Sequence, residues 1–228
     1  EENPAHPERW GTNGRGMQDH GTHEDPAKCI GLWFNAARSA VEMAEAISEL
    51  GLHKQIVNRV LEPFSHITTL VTSTQWNNFF ALRAHKDAQP EFQVLAYKML
   101  NEMVTESPTR VLEGEWHLPL VSTEDLWSHP LEDLRDISVA NCARTSYTSF
   151  GKLHDLTKQK KLASALATAG HWSPFEHQAQ AIGNCDASGN FRNGWSQYRT
   201  QIAMEQPPEI FTYQELLDAK PDWIQLDD

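Results

Sequence analysis

Trp76, Phe79, Phe80 and Arg83 fall at i, i+3, i+4 and i+7, so a helix through this stretch lays three aromatic rings and one guanidinium along a single face. Such a face restricts the fold, because apolar surface must be covered and a covered cation must be matched. Burying an unpaired charge costs on the order of several kcal/mol. Arg83 therefore requires a carboxylate of the chain, Glu91 for instance, or an anionic ligand. An internal ion pair satisfies it without any function. A phosphate or carboxylate ligand satisfies it by matching both prongs of the guanidinium fork. Ser73 or Thr74 caps this helix, which stops near His85. Pro90 opens the next helix, with Phe92, Leu95, Ala96, Met99 and Met103 on its core face.

The residues before this stretch read as a Pro-, Gly- and Asn-rich irregular segment pinned by Trp10 and Met17, then one long helix from Pro26 to Leu50. Asp25 is its N-cap, Pro26 its first helical residue and Gly51 its left-handed terminator. Ile30, Trp33, Phe34, Ala37, Val41, Ala44 and Ile47 trace its buried stripe. A short helix over His53–Leu61 breaks before Pro63 and carries Lys54 and Arg59. The β-branched run Ile67–Thr72 reads as an extended segment or a helix N-terminus.

Thr105–Asp136 is rich in Pro and acids with isolated Trp, and reads as a connector holding one short strand near Trp116–Val121. Asp136–Tyr147 and Thr157–Ala169 are helical, the second closed by Gly170. In H-W-S-P-F-E-H, His171–His177, a hydroxyl, a proline and a glutamate stand at the N-cap, N1 and N3 places of a capping box, with Ser173, Pro174 and Glu176 filling them. That motif accounts for itself structurally but leaves the flanking histidines unexplained. The start of a helix also suits an anion or an electron-rich ring edge. His171, Glu176 and His177 do not follow H-E-x-x-H spacing, so no metal is expected. A hairpin follows, Gln178–Cys185 and Phe191–Arg199, with Arg192 and Arg199 as candidate cations, and then an outer helix near Tyr213–Ala219.

The expected fold is α+β: a helical half, residues 1–104, a connector, 105–136, and a half with a small antiparallel sheet, 137–228, packed together as one intertwined domain. The 228 residues carry a formal charge of −12, which excludes a sequence-independent nucleic-acid binder. No apolar run reaches the length of a membrane span, and a cytoplasmic protein is expected. Cys29, Cys142 and Cys185 lie too far apart for a C-x-x-C site and read as small buried hydrophobes.

Two signatures together point to a family. H-W-S-P-F-E-H, preceded by C-A-R-T-S-Y, resembles the H-x-S/T-P-F-E-H and A-A-R-V-S-F/Y segments of the flavin-dependent thymidylate synthases. N-F-F-A-L-R-A-H-K-D-A-Q-P-E-F-Q-V-L-A resembles that family's F-L-x-L-R-x-x-x-x-A-Q-x-E-I-R-x-x-A, and N-R-V-L-E-P its A-R-x-V-L-P. The order is reversed relative to ordinary members, as in a circular permutation joined at Thr105–Asp136. The family's central R-H-R-x-x-S-x-N-E-x-S-x-R-Y signature is absent from these residues, and in the permuted order it belongs upstream of Glu1. At two positions just before the Arg83 helix, Thr72 and Thr74 stand where the family has asparagine and arginine.

The resemblance implies transfer of a methylene from methylenetetrahydrofolate to dUMP, with FAD delivering hydride and NADPH restoring it. It implies that Arg83 binds dUMP and, with His171, takes part in catalysis. Arg59 becomes a second nucleotide-side arginine, and Gln197 and Arg199 further substrate contacts. Ser146, His171, Ser173, Glu176 and Asn78 become the flavin-contacting set. A homotetramer with sites between subunits is implied as well. Hydroxymethylation of dUMP, or a nucleotide- or flavin-binding homologue without turnover, are the alternatives.

Overall fold

A computed structural model describes residues 3–15, 21–147, 155–184, 186, 188–202, 215, 218 and 221. Two compact units make up the chain: Glu1–Arg110 with Thr145–Thr148, and Val111–Arg144 with Ser149–Asp228. The architecture is mixed α and β, mainly helical with one small antiparallel sheet.

In the first unit, α1 (Pro26–Glu49) starts where Asp25 accepts the Lys28 amide at 2.9 Å and ends at Gly51, whose φ of 78° is open to glycine at little cost. The stripe from Ile30 to Ile47 is buried or half-buried. The N-terminal segment is pinned to this helix. Trp33 Nε1 donates to the Ala5 carbonyl at 2.8 Å, the Ala5 amide donates to Phe64 O at 2.9 Å, and Trp10 meets Trp33 edge-on at 6.1 Å. Trp10 is thus an anchor; Met17 lies outside the described residues. Helix α2 (Lys54–Arg59) runs into a 3-10 turn, Glu62–Phe64, at Pro63. Ile67–Thr72 forms neither strand nor helix start, since its β-branched side chains have no strand to pair with among the described residues.

Helix α3 (Asn77–Arg83) corrects the expected cap. Trp76 occupies the cap position without a side-chain bond. Ser73 instead closes a turn, its Oγ accepting the Gln75 amide at 3.0 Å and its carbonyl accepting Trp76 Nε1 at 2.9 Å. Helix α4 (Pro90–Thr105) corrects the expected face: Ala96 is buried and Met99 half-buried, but Phe92, Leu95 and Met103 are about half exposed, at 48%, 48% and 51%. The seven residues of α3 are too short to cover the sixteen of α4.

The second unit opens with β1 (Trp116–His117), and the connector then turns helical, contrary to expectation. In α5 (Thr123–Ser128) the Ser122 hydroxyl and the Asp125 carboxylate cap each other's backbone reciprocally. Helix α6 (Leu131–Cys142) starts straight after Pro130, five residues before the predicted point. It packs on α7 (Leu156–Thr168), which Asp155 caps and Gly170, at φ 71°, terminates.

The H-W-S-P-F-E-H segment is a single 3-10 turn, Ser173–Glu176, with no side-chain cap, so the predicted capping box is absent. The reason lies on both flanks. Gly170 and the His171 amide, bonded to Leu166 O at 2.9 Å, turn the chain directly out of α7. Beyond the turn, Glu176 is drawn to Arg199 instead of back to the Ser173 amide.

The hairpin forms as expected. β2 (Ala179–Ala181) pairs antiparallel with β3 (Trp195–Gln197) in the register Ala179↔Gln197, Gln180↔Ser196, Ala181↔Trp195, and β1 pairs with the other edge of β2. Helix α8 (Tyr198–Gln201) follows at once. Of the predicted outer helix Tyr213–Ala219, only Glu215 and Asp218 are described, both helical. Val139, Ala163 and Phe175 form the core, with Trp172 and Tyr198 packed against it.

Candidate functional site

In the first unit the Arg83 guanidinium is exposed. Arg83 sits in the last turn of α3 with its guanidinium 5.6 Å from the centre of the Phe92 ring, and among the described residues it forms no ion pair. Glu91, the expected internal partner, accepts instead from Gln89 Nε2 at 3.0 Å. The corner beneath Arg83 is fixed: the Tyr97 hydroxyl donates to Ala84 O at 3.2 Å, and Gln93 Nε2 donates to His85 O. Asn78 is exposed one turn earlier on α3, and Arg59 is exposed in the last turn of α2. Ser146 is held in this unit, where it lines a cleft of about 610 Å³ with Asn58, Leu61, Glu62, Ser65, His66, Ile67 and Thr68. The fold thus brings Ser146 beside Asn58, Leu61 and Glu62 of N-R-V-L-E-P, although 80-odd residues separate them in sequence.

In the second unit His171, just before the 3-10 turn, and Ser173, its first residue, are exposed, and the other predicted residues are engaged with each other. Arg199 Nη1 donates to Glu176 Oε1, with both side chains about a third exposed, at 31% and 38%. Gln197 is only 4% exposed. Its Nε2 donates to the Glu176 carbonyl at 3.0 Å and to Asn190 Oδ1, and its amide donates to Ser188 Oγ at 3.1 Å. Gln197 is therefore a lock of the hairpin and not, as expected, a surface contact for substrate. Arg192 is exposed in the loop before β3.

Beside this cluster lie groups that the sequence reading passed over. Gln178 is fully buried, its Nε2 donating to Ser138 Oγ at 3.1 Å and to Cys142 Sγ at 3.5 Å, while Ser138 donates to Pro119 O at 2.7 Å. Burial pushes the Cys142 thiol up to about 12, so it stays protonated. His117 has its pKa lowered by burial. His177 is lowered chiefly by burial, against the raising effect of Glu176, with a smaller lowering contribution from His117. Arg135 lies against Trp116 and Tyr198. The polar–apolar alternation of Q-A-Q-A was the only signal available for Gln178, and it assigns both glutamines to one outer face; Gln178 precedes the strand and turns inward. Cys29 is half-buried, and Cys185 lies outside the described residues.

Among the described residues no group of three or more His, Cys, Asp or Glu side chains is arranged to hold a metal ion, and no helix is long and apolar enough to cross a membrane. No family model, curated protein or solved structure matches the chain.

Proposed function

We propose that this chain is a flavin-dependent thymidylate synthase in permuted order, methylating dUMP to dTMP with methylenetetrahydrofolate and NADPH. The observation that carries the proposal is Arg83. It ends a motif-bearing helix as an exposed guanidinium, steadied on Phe92 and without a carboxylate partner among the described residues, which is the state a phosphate-binding arginine needs before its ligand arrives. The polar side chains proposed for FAD fit a neutral, carbonyl-rich ring system. Ser146, Ser173, Asn78 and His171 are uncharged or weakly basic hydrogen-bonding groups, and all four are exposed. Glu176 fits less directly, being held by Arg199. The chemistry that FAD supplies when bound is hydride delivery, with NADPH as reductant. The chain's own part is to hold the nucleotide phosphate at Arg83, with Arg59 adding positive potential, and to keep reactants in register. Cys142 remains a thiol, in keeping with a route that uses no cysteine nucleophile. The exposed Phe92, Leu95 and Met103 on α4 supply apolar surface for the proposed homotetramer.

The buried Gln197 and the Glu176–Arg199 pair favour a second reading, a nucleotide- or flavin-binding homologue without turnover. Two measurements on the full chain decide. Flavin absorbance and saturable dUMP binding are expected under both readings, and absence of both overturns them. Tritium release from 5-tritiated dUMP, supplied with methylenetetrahydrofolate and NADPH, is expected of the synthase and not of a binding homologue without turnover.

A further inference from the structure

Arg135, in the second turn of α6, holds its guanidinium 5.2 Å from the centre of the Trp116 ring and 5.2 Å from that of Tyr198. The two rings meet edge to face at 5.5 Å and 87°, so one cation ties together β1, α6 and α8. Its Nε is buried and has no hydrogen-bond acceptor among the described residues. A donor kept from any acceptor weakens a fold. A hydrocarbon side chain of the same length would fill the slot without that cost, so stability alone does not account for a guanidinium here. A bound anion does not account for it either. Glu132 and Asp136 flank Arg135 on α6, and both act on the Tyr198 phenol, so a further negative charge would enter an already negative field. What the cation holds is Tyr198.

Tyr198 stands between Gln197, the lock of the hairpin, and Arg199, which the family resemblance implies as a substrate contact and which pairs here with Glu176. Its amide donates to Gln178 O at 2.9 Å, and its ring lies 6.0 Å from Phe175. The chain is thereby fixed at the point where β3 passes into α8. We propose that Arg135 is a positioning residue: by pinning the Tyr198 ring against Trp116 it sets the angle at which the chain leaves β3, and with it the direction in which Arg199 meets dUMP. A planar guanidinium suits that task because it stacks on a ring face with a defined orientation, which a hydrocarbon does not. The inference rests on the reading of Arg199 as a dUMP contact. Arg135 also opposes the upward push of burial on the Tyr198 phenol, which provides a readout separate from packing.

The test compares wild type, Arg135→Met, Arg135→Lys and Arg199→Ala as full chains, by calorimetric dUMP binding and by ultraviolet titration of the tyrosine phenols. Arg135→Met keeps the volume of the slot but removes the charge, and is expected to weaken dUMP binding by about tenfold or more. It should also move one phenol to higher pH. Arg135→Lys restores part of both, and it carries the comparison if the methionine variant does not fold. Weakened binding in Arg199→Ala with unchanged binding in the Arg135 variants overturns the positioning role and leaves the proposed function standing. Loss of affinity in Arg135→Met without any phenol shift also overturns it. Wild type that does not bind dUMP, or Arg199→Ala that binds it normally, overturns the reading of Arg199 and the inference with it.

Discussion

Gly189 lies in the loop between β2 and β3 at a φ of 58°, and a Cβ built on it would fall 2.2 Å from Gln197 Oε1. Two costs follow from replacing it with alanine. The left-handed backbone penalises any side chain by roughly 1–2 kcal/mol. The collision then displaces a buried amide that donates to the Glu176 carbonyl at 3.0 Å, and leaving such a group unsatisfied costs about 1–3 kcal/mol. Gly189→Ala is therefore expected to destabilise the second unit by about 2–5 kcal/mol. Gly183 is the internal control. Its φ is 71°, and its Cβ would meet Glu113 Oε1 at 2.9 Å, the far end of a flexible chain that can swing away. Gly183→Ala should cost only the backbone term, about 1–2 kcal/mol. Urea unfolding followed by tryptophan fluorescence measures both, with the midpoint shift converted at the wild-type slope. If Gly189→Ala costs no more than Gly183→Ala, then Gln197 is not locked in the hairpin and its side chain is free to reach a ligand.

Three further outcomes are expected. His117 and His177 have folded pKa values below their unfolded value of about 6.5, so the unfolded chain takes up protons first: their contribution to stability is complete above that pH and declines as pH falls below it, which urea midpoints between pH 7.5 and 5.5 should show. Asp136, whose carboxyl burial pushes up, acts in the opposite sense at lower pH and limits the net loss in strongly acid solution. Arg83→Ala removes one ring contact at an exposed site, so it should change stability by less than about 1 kcal/mol; under the proposed function the same variant loses dUMP binding in calorimetry, and unaltered binding refutes the role of Arg83. Ser138→Ala strips the Pro119 carbonyl and Gln178 of a buried partner and should cost about 1–3 kcal/mol in urea unfolding.

The residue text alone was enough wherever a local rule decided the outcome. Asp25–Pro26 and Gly51 bound α1, Gly170 closes α7, and the alternation around Ala179–Ala181 and Trp195–Gln197 yields the hairpin. In each case the signal is a cap, a positive φ or a period-two pattern acting within a few residues. H-W-S-P-F-E-H contained a capping box on paper, yet Ser173–Glu176 is one 3-10 turn, because Glu176 met a guanidinium 23 residues further along the chain. Likewise the apolar stripe of α4 was legible, but whether it is covered depends on the length of α3 beside it.

The same division runs through the candidate site. Arg83, Arg59, His171 and Ser173 could be named from motifs, and their exposure is compatible with ligand contact. That Gln197 is buried, that Glu176 is held by Arg199, that Arg135 is set against Trp116 and Tyr198, and that Ser146 shares a cleft with the Asn58–Thr68 segment were decided only by tertiary structure. The physical reason is range. Helix boundaries and turns answer to dihedral preferences and hydrogen bonds between near neighbours, whereas burial, ion pairing and cation–ring contacts depend on which distant segments the packed chain delivers to the same few ångströms.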